Sequence, residues 1–238
     1  MTEPMSHIPT EVFVGFLGRT IEIHWNYHAI LMFCIWVVLV PVCIITIRFF
    51  KPKPEGIGIT EKVSITNVRW LWFSIHKYGL YTAMILTLAG AMVAVIASQG
   101  ISGSVHSLFG VLTVIMGCLQ VVSAVLRGTH GGKHYGDAKL DDPSTWRGDH
   151  YDHSPRRQRF EAYHKTSGYF TSFFAVGAVA SGLMQYPMPL LTVLAFGIPI
   201  LLLIVWIIFE YQGRRYDGYR AVYGSSMEHP FNEARKDL

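Results

Sequence analysis

Five apolar stretches of about twenty residues alternate with polar segments along this chain of 238 residues. As a helix, about 20 apolar residues cross the ~30 Å hydrocarbon core of a bilayer, and none of the five carries Asp or Glu in its apolar interior. Only 15% of all residues are charged, against about 25% in soluble domains. We therefore predict an all-α integral membrane protein with five transmembrane helices, at 29–47, 78–97, 105–126, 163–186 and 190–209.

The basic residues are distributed unevenly between the polar segments. Nineteen of the twenty Lys and Arg residues lie in 48–77, in 127–165 or after residue 213, and the remaining one is Arg19. Because cytoplasmic loops are enriched in Lys and Arg, we expect the N-terminus outside and the C-terminus in the cytoplasm, in the inner membrane of a bacterium. Basic residues beside membrane spans are accounted for by topology and by membrane lipid, so we expect no nucleic-acid partner.

The spans divide the chain into four regions. We expect an outer amphipathic N-terminal segment at 1–25, a four-helix core at 26–186, a fifth transmembrane helix at 187–212 and a cytoplasmic tail at 213–238. The apolar residues of the first segment suggest a short surface helix. The long polar loop between the third and fourth spans reads as solvated and flexible, although its histidines and Asp152 leave a metal site as an alternative. The tail alternates Tyr with Arg, as interfacial belts do.

A histidine stands near the start of each of the first four spans: His28, His76, His106 and His164. Consecutive helices are antiparallel, so His28 and His106 should share one membrane face and His76 and His164 the other. Polar side chains at the hydrocarbon edge are costly and often functional, and paired imidazoles on facing helices are suited to ligate the iron of a haem. An interfacial histidine bonded to a carbonyl or headgroup is the alternative for each residue taken singly.

Glycines follow these histidines at helical spacing. Gly79, Gly110 and Gly168 lie three or four residues further on, where the lack of a Cβ lets a flat ring approach the helix. Gly90 and Gly177 lie further along their helices, and we expect each to present a small residue to the other haem. His24 lies one turn outside His28, and the pair raises the question of a shared metal ion. Trp25 stands where a zinc-protease helix would carry Glu, which argues against that site.

The ordered motifs resemble one known family. "HAILMF" leading to Pro41 and "RFFK", then "WFSIHKYG", "HSLFGVLTVIMGCLQ" and "RFEAYHKTSGYF", are similar to the four core helices of the cytochrome b561 family, in the form found with DOMON domains. The resemblance covers about residues 25–185, and we expect no DOMON domain in this chain. It implies two b-type haems (haem b), with iron ligands His28 and His106 for the outer haem and His76 and His164 for the cytoplasmic one.

The resemblance also implies electron transfer across the membrane, with a quinol, an ascorbate-like reductant, a ferric chelate or a redox protein as donor or acceptor. Haem propionates or an anionic substrate need cationic partners, for which we name Arg69, Lys77, Arg127 and Lys165. We expect an oxidoreductase or electron carrier, acting as a reductase or as a subunit beside other membrane redox subunits. The alternative is a non-redox membrane scaffold or small transporter with interfacial histidines.

Overall fold

The computed structural model describes residues 8–226 and 229–233. Five helices in this part of the chain are long and apolar enough to cross a membrane. They are α1 (Trp25–Phe49), α2 (Leu71–Ala97), α3 (Val105–Val125), α4 (Pro155–Gln185) and α5 (Pro189–Tyr211). The prediction of an all-α membrane protein with five transmembrane helices is confirmed, and the chain is an integral membrane protein.

Helix α1 widens into a π-helical turn over Cys34–Leu39. Pro41 follows directly and has no N–H to donate, so the regular α-helical hydrogen bond to the carbonyl of Val37 cannot form there. The wide turn carries Trp36, whose side chain is 9% exposed. Val37 on the same turn packs against Leu191 of α5, and none of the most apolar 18-residue stretch of α5 is buried, so α5 lies on the outer surface of the bundle.

Small residues set the closest approaches between the helices. A Cβ on Gly177 of α4 would meet the ring of Phe109 on α3 at 3.0 Å, and Gly90 of α2 lies against Met32 of α1. Gly79 lies against Cys43. Gly90 and Gly177 therefore serve helix packing and line neither of the two cavities described below; that each presents a small residue to a haem stays a prediction.

The N-terminal segment is a β-hairpin rather than the expected amphipathic helix. Strands β1 (Glu11–Val14) and β2 (Arg19–Glu22) pair antiparallel, with Val12 opposite Ile21. Val12 and Val14 are buried while Phe13 is exposed, which is the two-residue period of a strand. Gly18 closes the turn with a φ of 61°, a conformation that favours glycine. Residues 1–7 of the predicted segment lie outside the described part of the chain.

A folded cap covers the end of the bundle at which α2 and α4 begin. Its core consists of buried side chains from four separate segments: Ile59, Trp70, Trp72, Trp146, Tyr151, Tyr219, Val222, Tyr223 and Phe231. Two short helices, α6 (Gly218–Tyr223) and α7 (Pro230–Glu233), bring in the end of the chain. Tyr223 Oη donates to the carbonyl of His130 at 2.5 Å, and Ile59 N donates to Val222 O at 2.9 Å.

The cap corrects two expectations. The loop between α3 and α4 is not a solvated, flexible segment, because Trp146, His150 and Tyr151 are all buried. Tyr219 and Tyr223 of the tail do not belong to an interfacial belt, because they are 3% and 4% exposed within the cap core, whereas Tyr211 is exposed. Aromatic residues bury a large apolar area, and here the aromatic side chains of the loop and the tail pack against one another.

Candidate functional site

The described residues enclose one cavity toward each end of the bundle. The hairpin-end cavity, about 350 Å³, lies where α1 and α3 begin and is lined by His28, His106, Gly110 and Gly182 among others. The cap-end cavity, about 730 Å³, lies where α2 and α4 begin and is lined by His76, His164 and Gly168 among others. The structure thus brings the four histidines together in two pairs, and it places Gly110 and Gly168 on cavity walls.

In the hairpin-end cavity, the rings of His28 and His106 face each other. Their centroids are 6.2 Å apart and their planes cross at 88°. His106 Nδ1 donates to the carbonyl of Ala178 on α4 at 2.9 Å, so its Nε2 keeps a free lone pair. His28 Nδ1 is buried without an acceptor at hydrogen-bond distance among the described residues, and the backbone of Gly90 lies beside it.

The cap-end pair repeats this arrangement. The ring centroids of His76 and His164 are 6.4 Å apart, and the planes cross at 77°. His76 Nδ1 donates to the carbonyl of Cys43 at 3.4 Å. Ser123 Oγ donates to Gln120 O at 2.8 Å and can therefore accept the Nδ1 hydrogen of His164 at 3.1 Å. Both rings thus present Nε2 as an acceptor.

These separations fit two imidazoles on opposite sides of one metal ion. Metal–nitrogen bonds of about 2.0 Å through Nε2 place the two ring centres about 6 Å apart. A second hydrogen bond from the other ring nitrogen is the usual support of a ligating histidine. Within the described residues, no three His, Cys, Asp or Glu side chains are placed to share one ion. Each pair therefore suits a metal whose remaining ligands come from a cofactor, as in a haem.

The two proposed cation contacts nearest the cap differ in their surroundings. Arg127 lines the cap-end cavity, lies 5.2 Å from the ring centre of Phe73, and has no acidic partner within the described chain. Burial lowers the pKa of Arg127, and the neighbouring Arg157 lowers it further. Arg69 lines neither cavity and pairs with Glu61 at 3.5 Å on the exposed surface. The structure therefore brings Arg127, but not Arg69, to the site.

Further cations line the same cavity. Lys77 and Lys165 are both in its wall, and Lys165 pairs with Glu161 at 3.4 Å. Lys51, which sequence reasoning missed, also lines it; burial lowers the pKa of its ammonium, and Asp217 opposes that shift. A half-buried cation without a close carboxylate requires an anion, and the signal in the sequence was the motif "RFFK" itself.

Two histidines, His150 buried and His130 half-buried, line the cavity next to the cap. The Nδ1 atoms of His130 and His150 are 3.4 Å apart. Burial first, then the positive charges of Arg127 and Arg157, lower the pKa of His130 to about 4. The pKa of His150 is lowered well below its ordinary value for the same reasons, with burial again the largest. These shifts favour the neutral form of both imidazoles, in which one Nδ1 can donate to the other.

The hairpin-end cavity has a different rim. Its polar lining comes from small or neutral side chains: Ser98, Ser102, Ser107, Gln185 and Tyr186. Arg19 and His24 do not line it. His24 is exposed, with Nε2 4.0 Å from Glu22 Oε2, so the structure does not join it with His28 as a pair of metal ligands.

Comparison with known proteins gives weak but consistent similarity. No family model matches the chain, and no solved structure matches it. The chain is 26% identical to ferric-chelate reductase 1 of Homo sapiens over 158 residues, which are 66% of this chain and 22% of that protein.

Two further relatives match a shorter part of the chain. A cytochrome b561, DM13 and DOMON domain-containing protein of Arabidopsis thaliana is 30% identical over 42% of this chain and 10% of its own length. A putative ferric-chelate reductase 1 of Xenopus laevis is 32% identical over 42% of this chain and 16% of its own. The chain thus spans between 10% and 22% of the curated relatives it matches.

Proposed function

We propose that this protein transfers electrons across a membrane through two bis-histidine b-type haems. The observation that carries the proposal is the pair of facing imidazole couples, with centroid separations of 6.2 and 6.4 Å, each across a cavity inside the bundle. The similarity to proteins named as ferric-chelate reductases and as a cytochrome b561 protein supports it. An interfacial role for each histidine does not account for the matching geometry of both couples.

The residues of the chain would divide the work as follows. His28 with His106, and His76 with His164, would hold the two irons through Nε2. The carbonyls of Cys43 and Ala178 and the hydroxyl of Ser123 fix the tautomer that leaves Nε2 free. When bound, the haems supply the one-electron chemistry, while the protein supplies ligation, spacing and an apolar surrounding.

Anionic groups at the cap end would be bound by the cations of that cavity. Arg127 and Lys51 have the strongest need for an anion, because both are partly buried and neither has a carboxylate at ion-pair distance in the described chain. Lys165 is exposed and pairs with Glu161, so it would contribute less, while Lys77 is half-buried in the same wall. Haem propionates, or an anionic donor or acceptor such as a ferric chelate or an ascorbate-like reductant, carry the matching charge.

The proposal includes a role for the chain in a larger redox system. The chain would act as a reductase or as the membrane subunit of a redox complex, with a quinol, a ferric chelate or a partner redox protein at one face. We propose that the cap lies in the cytoplasm, on the basis of the basic residues, with a bacterial inner membrane as the expected location. Reporter fusions after residue 100 and at the C-terminus test this orientation, because they should be active on opposite sides.

The test of the function uses the full chain purified in mild detergent. We expect close to two haems per chain by the pyridine haemochrome assay, and a low-spin b-type spectrum in both redox states. Mixing the reduced protein with a ferric chelate, and the oxidised protein with a quinol or ascorbate, then identifies acceptor and donor. A folded but colourless protein would overturn the proposal in favour of a scaffold or transporter.

A further inference from the structure

Trp36 occupies a position that no other described residue shares. It lines both the hairpin-end and the cap-end cavity. It lies on the π-helical turn of α1, and its side chain is 9% exposed. The indole of Trp36 therefore forms part of the wall of both cavities.

The layer around Trp36 is built to bring this indole between the cavities. Its neighbours in the buried cluster include Ala83 and Met84 of α2 and Ala175 of α4. Ala83 and Ala175 are 1% and 2% exposed, and Gly117 of α3 lies directly against Met84. Small residues on α2 and α4 thus leave room for one large ring supplied by α1, while Gly117 of α3 makes room for Met84.

The π-helical turn of α1 explains why Trp36 lies between the two cavities. One extra residue in a turn rotates the following part of the helix relative to a regular α-helix. His28 lies before the turn and contributes to one cavity, while Val40 and Ile44 lie after it and contribute to the other. Pro41 fixes the wide turn at the level of Trp36.

We propose that Trp36 is the bridge through which electrons pass between the two haem sites, an inference that rests on the proposed function. Electron tunnelling is faster through bonded and closely packed atoms than across gaps, and an indole offers a continuous, polarisable π-system. No net oxidation of Trp36 is required, because each electron leaves one iron and arrives at the other. Trp36 would touch both cofactors without ligating either.

The experiment compares Trp36→Leu, Trp36→Phe and the control Val37→Ala in the full chain. Val37 lies on the same turn and is 7% exposed, but it lines neither cavity. Haem content, the low-spin spectrum and the two midpoint potentials are measured first. The rate at which an electron placed on one haem by flash photoreduction equilibrates with the other is then measured by absorbance.

We expect all three variants to keep two haems, and Trp36→Leu to lose the fast equilibration phase of the wild type. Trp36→Phe should restore much of it, and Val37→Ala should behave as the wild type. Fast equilibration in a Trp36→Leu protein that holds both haems would overturn the proposal. If Trp36→Leu loses a haem, the Trp36→Phe variant decides between the two roles. Two haems and wild-type equilibration in Trp36→Phe support electron transfer through the aromatic ring. Loss of a haem in Trp36→Phe as well would overturn the proposal, because Trp36 would then serve only to shape the cavities. A wild type without haem would instead refute the proposed function itself.

Discussion

Each of the two cavities contains a pair of facing histidines, but the residues around the two pairs differ. The hairpin-end cavity is about 350 Å³ and has a rim of serines and neutral side chains, whereas the cap-end cavity is about 730 Å³ and is lined by several cations. Helices and short adjoining segments enclose the first, while loop and tail segments distant in sequence complete the second. The comparison teaches that the facing histidine pairs are common to both ends, while the segments at each end of the bundle determine which other groups line each cavity.

Substitution of single histidines tests most directly whether the two cavities are separate haem sites. If the proposed function holds, we expect His106→Ala to remove the haem of the hairpin-end site and spare the other, and His164→Ala to do the reverse, because each variant would lose one of the two proposed iron ligands of its site. The haem-to-protein ratio should fall from about two to about one in each single variant, with complementary losses in the visible spectrum.

His24→Ala is the matched control, since His24 lies at the same membrane face as His28 but lines neither cavity. It should retain both haems. If His28→Ala and His76→Ala removed the same haem, the assignment of ligand pairs would be wrong.

A second substitution tests whether a haem occupies the space beside Gly110 in the hairpin-end cavity. A Cβ on Gly110 would meet no protein atom within 4 Å, and Gly110 lines the cavity. We expect Gly110→Ala to reduce occupancy of the hairpin-end haem while leaving the cap-end haem in place, because the methyl group projects into the cofactor's space. Haem content and the spectrum of each site give the measurement.

Gly197 on α5 provides the control, because a Cβ there also meets no atom within 4 Å but Gly197 lines neither cavity. Gly197→Ala should leave haem content unchanged and gain about 0.5–1 kcal/mol of helix stability. Equal behaviour of the two variants would mean that the space beside Gly110 holds no cofactor.

Acid should distinguish the cap end from the hairpin end. The pKa of His130 is about 4 in the folded cap against an ordinary value of 6.5, so the unfolded cap binds more protons between these values. The stabilisation is therefore complete above pH 6.5 and is lost as the pH falls toward 4, which costs about 2 kcal/mol at pH 5 from His130 alone. The midpoint of thermal unfolding, followed by tryptophan fluorescence at pH 7.5 and pH 5, measures the loss.

His130→Asn should reduce this pH dependence, because asparagine has no proton to gain. His24→Asn, an exposed histidine at the other end, should leave it unchanged. An unfolding midpoint that is the same at both pH values would contradict the burial of neutral imidazoles in the cap.

The smallest expected effect concerns charge. Removing the positive charge of Arg127 should favour the oxidised form of the cap-end haem and lower its midpoint potential by some tens of millivolts, on the order expected for one partly buried charge at this range. Potentiometric titration of Arg127→Gln measures the shift. Arg69→Gln is the control, since Arg69 is half exposed and paired with Glu61; a shift of equal size there would show that the cap-end cavity does not select Arg127.

The parts that the sequence predicted well depend on local patterns. Twenty apolar residues in a row define a span, and the place of His28, His76, His106 and His164 at the span starts follows from counting. Antiparallel neighbours then determine which histidines can meet. Of the cations named from the sequence as anion contacts, Arg127, which follows a span, lines the cap-end cavity, whereas Arg69, equally basic, pairs with Glu61 on the surface.

The parts that were missed depend on contacts between distant segments. Tyr219 packs on Phe231 with ring centroids 4.0 Å apart and also meets Tyr151, which lies in another loop. No periodicity links such residues, so a folded cap looked like a flexible loop and an aromatic belt. The hairpin was missed for another reason: a stretch of mixed apolar residues fits a helix and a strand almost equally until Gly18 closes the turn.

The composition of the cap has a consequence for how the protein is made. Its core requires residues near 59, 70, 146 and 151 together with residues 219–231, so it cannot close until the last part of the chain has been synthesised. The four helices that carry the histidines are complete by residue 185. The cap-end cavity therefore stays open throughout the synthesis and insertion of α5, and the haem proposed for this cavity would enter during that interval, before the aromatic side chains of the cap pack over it.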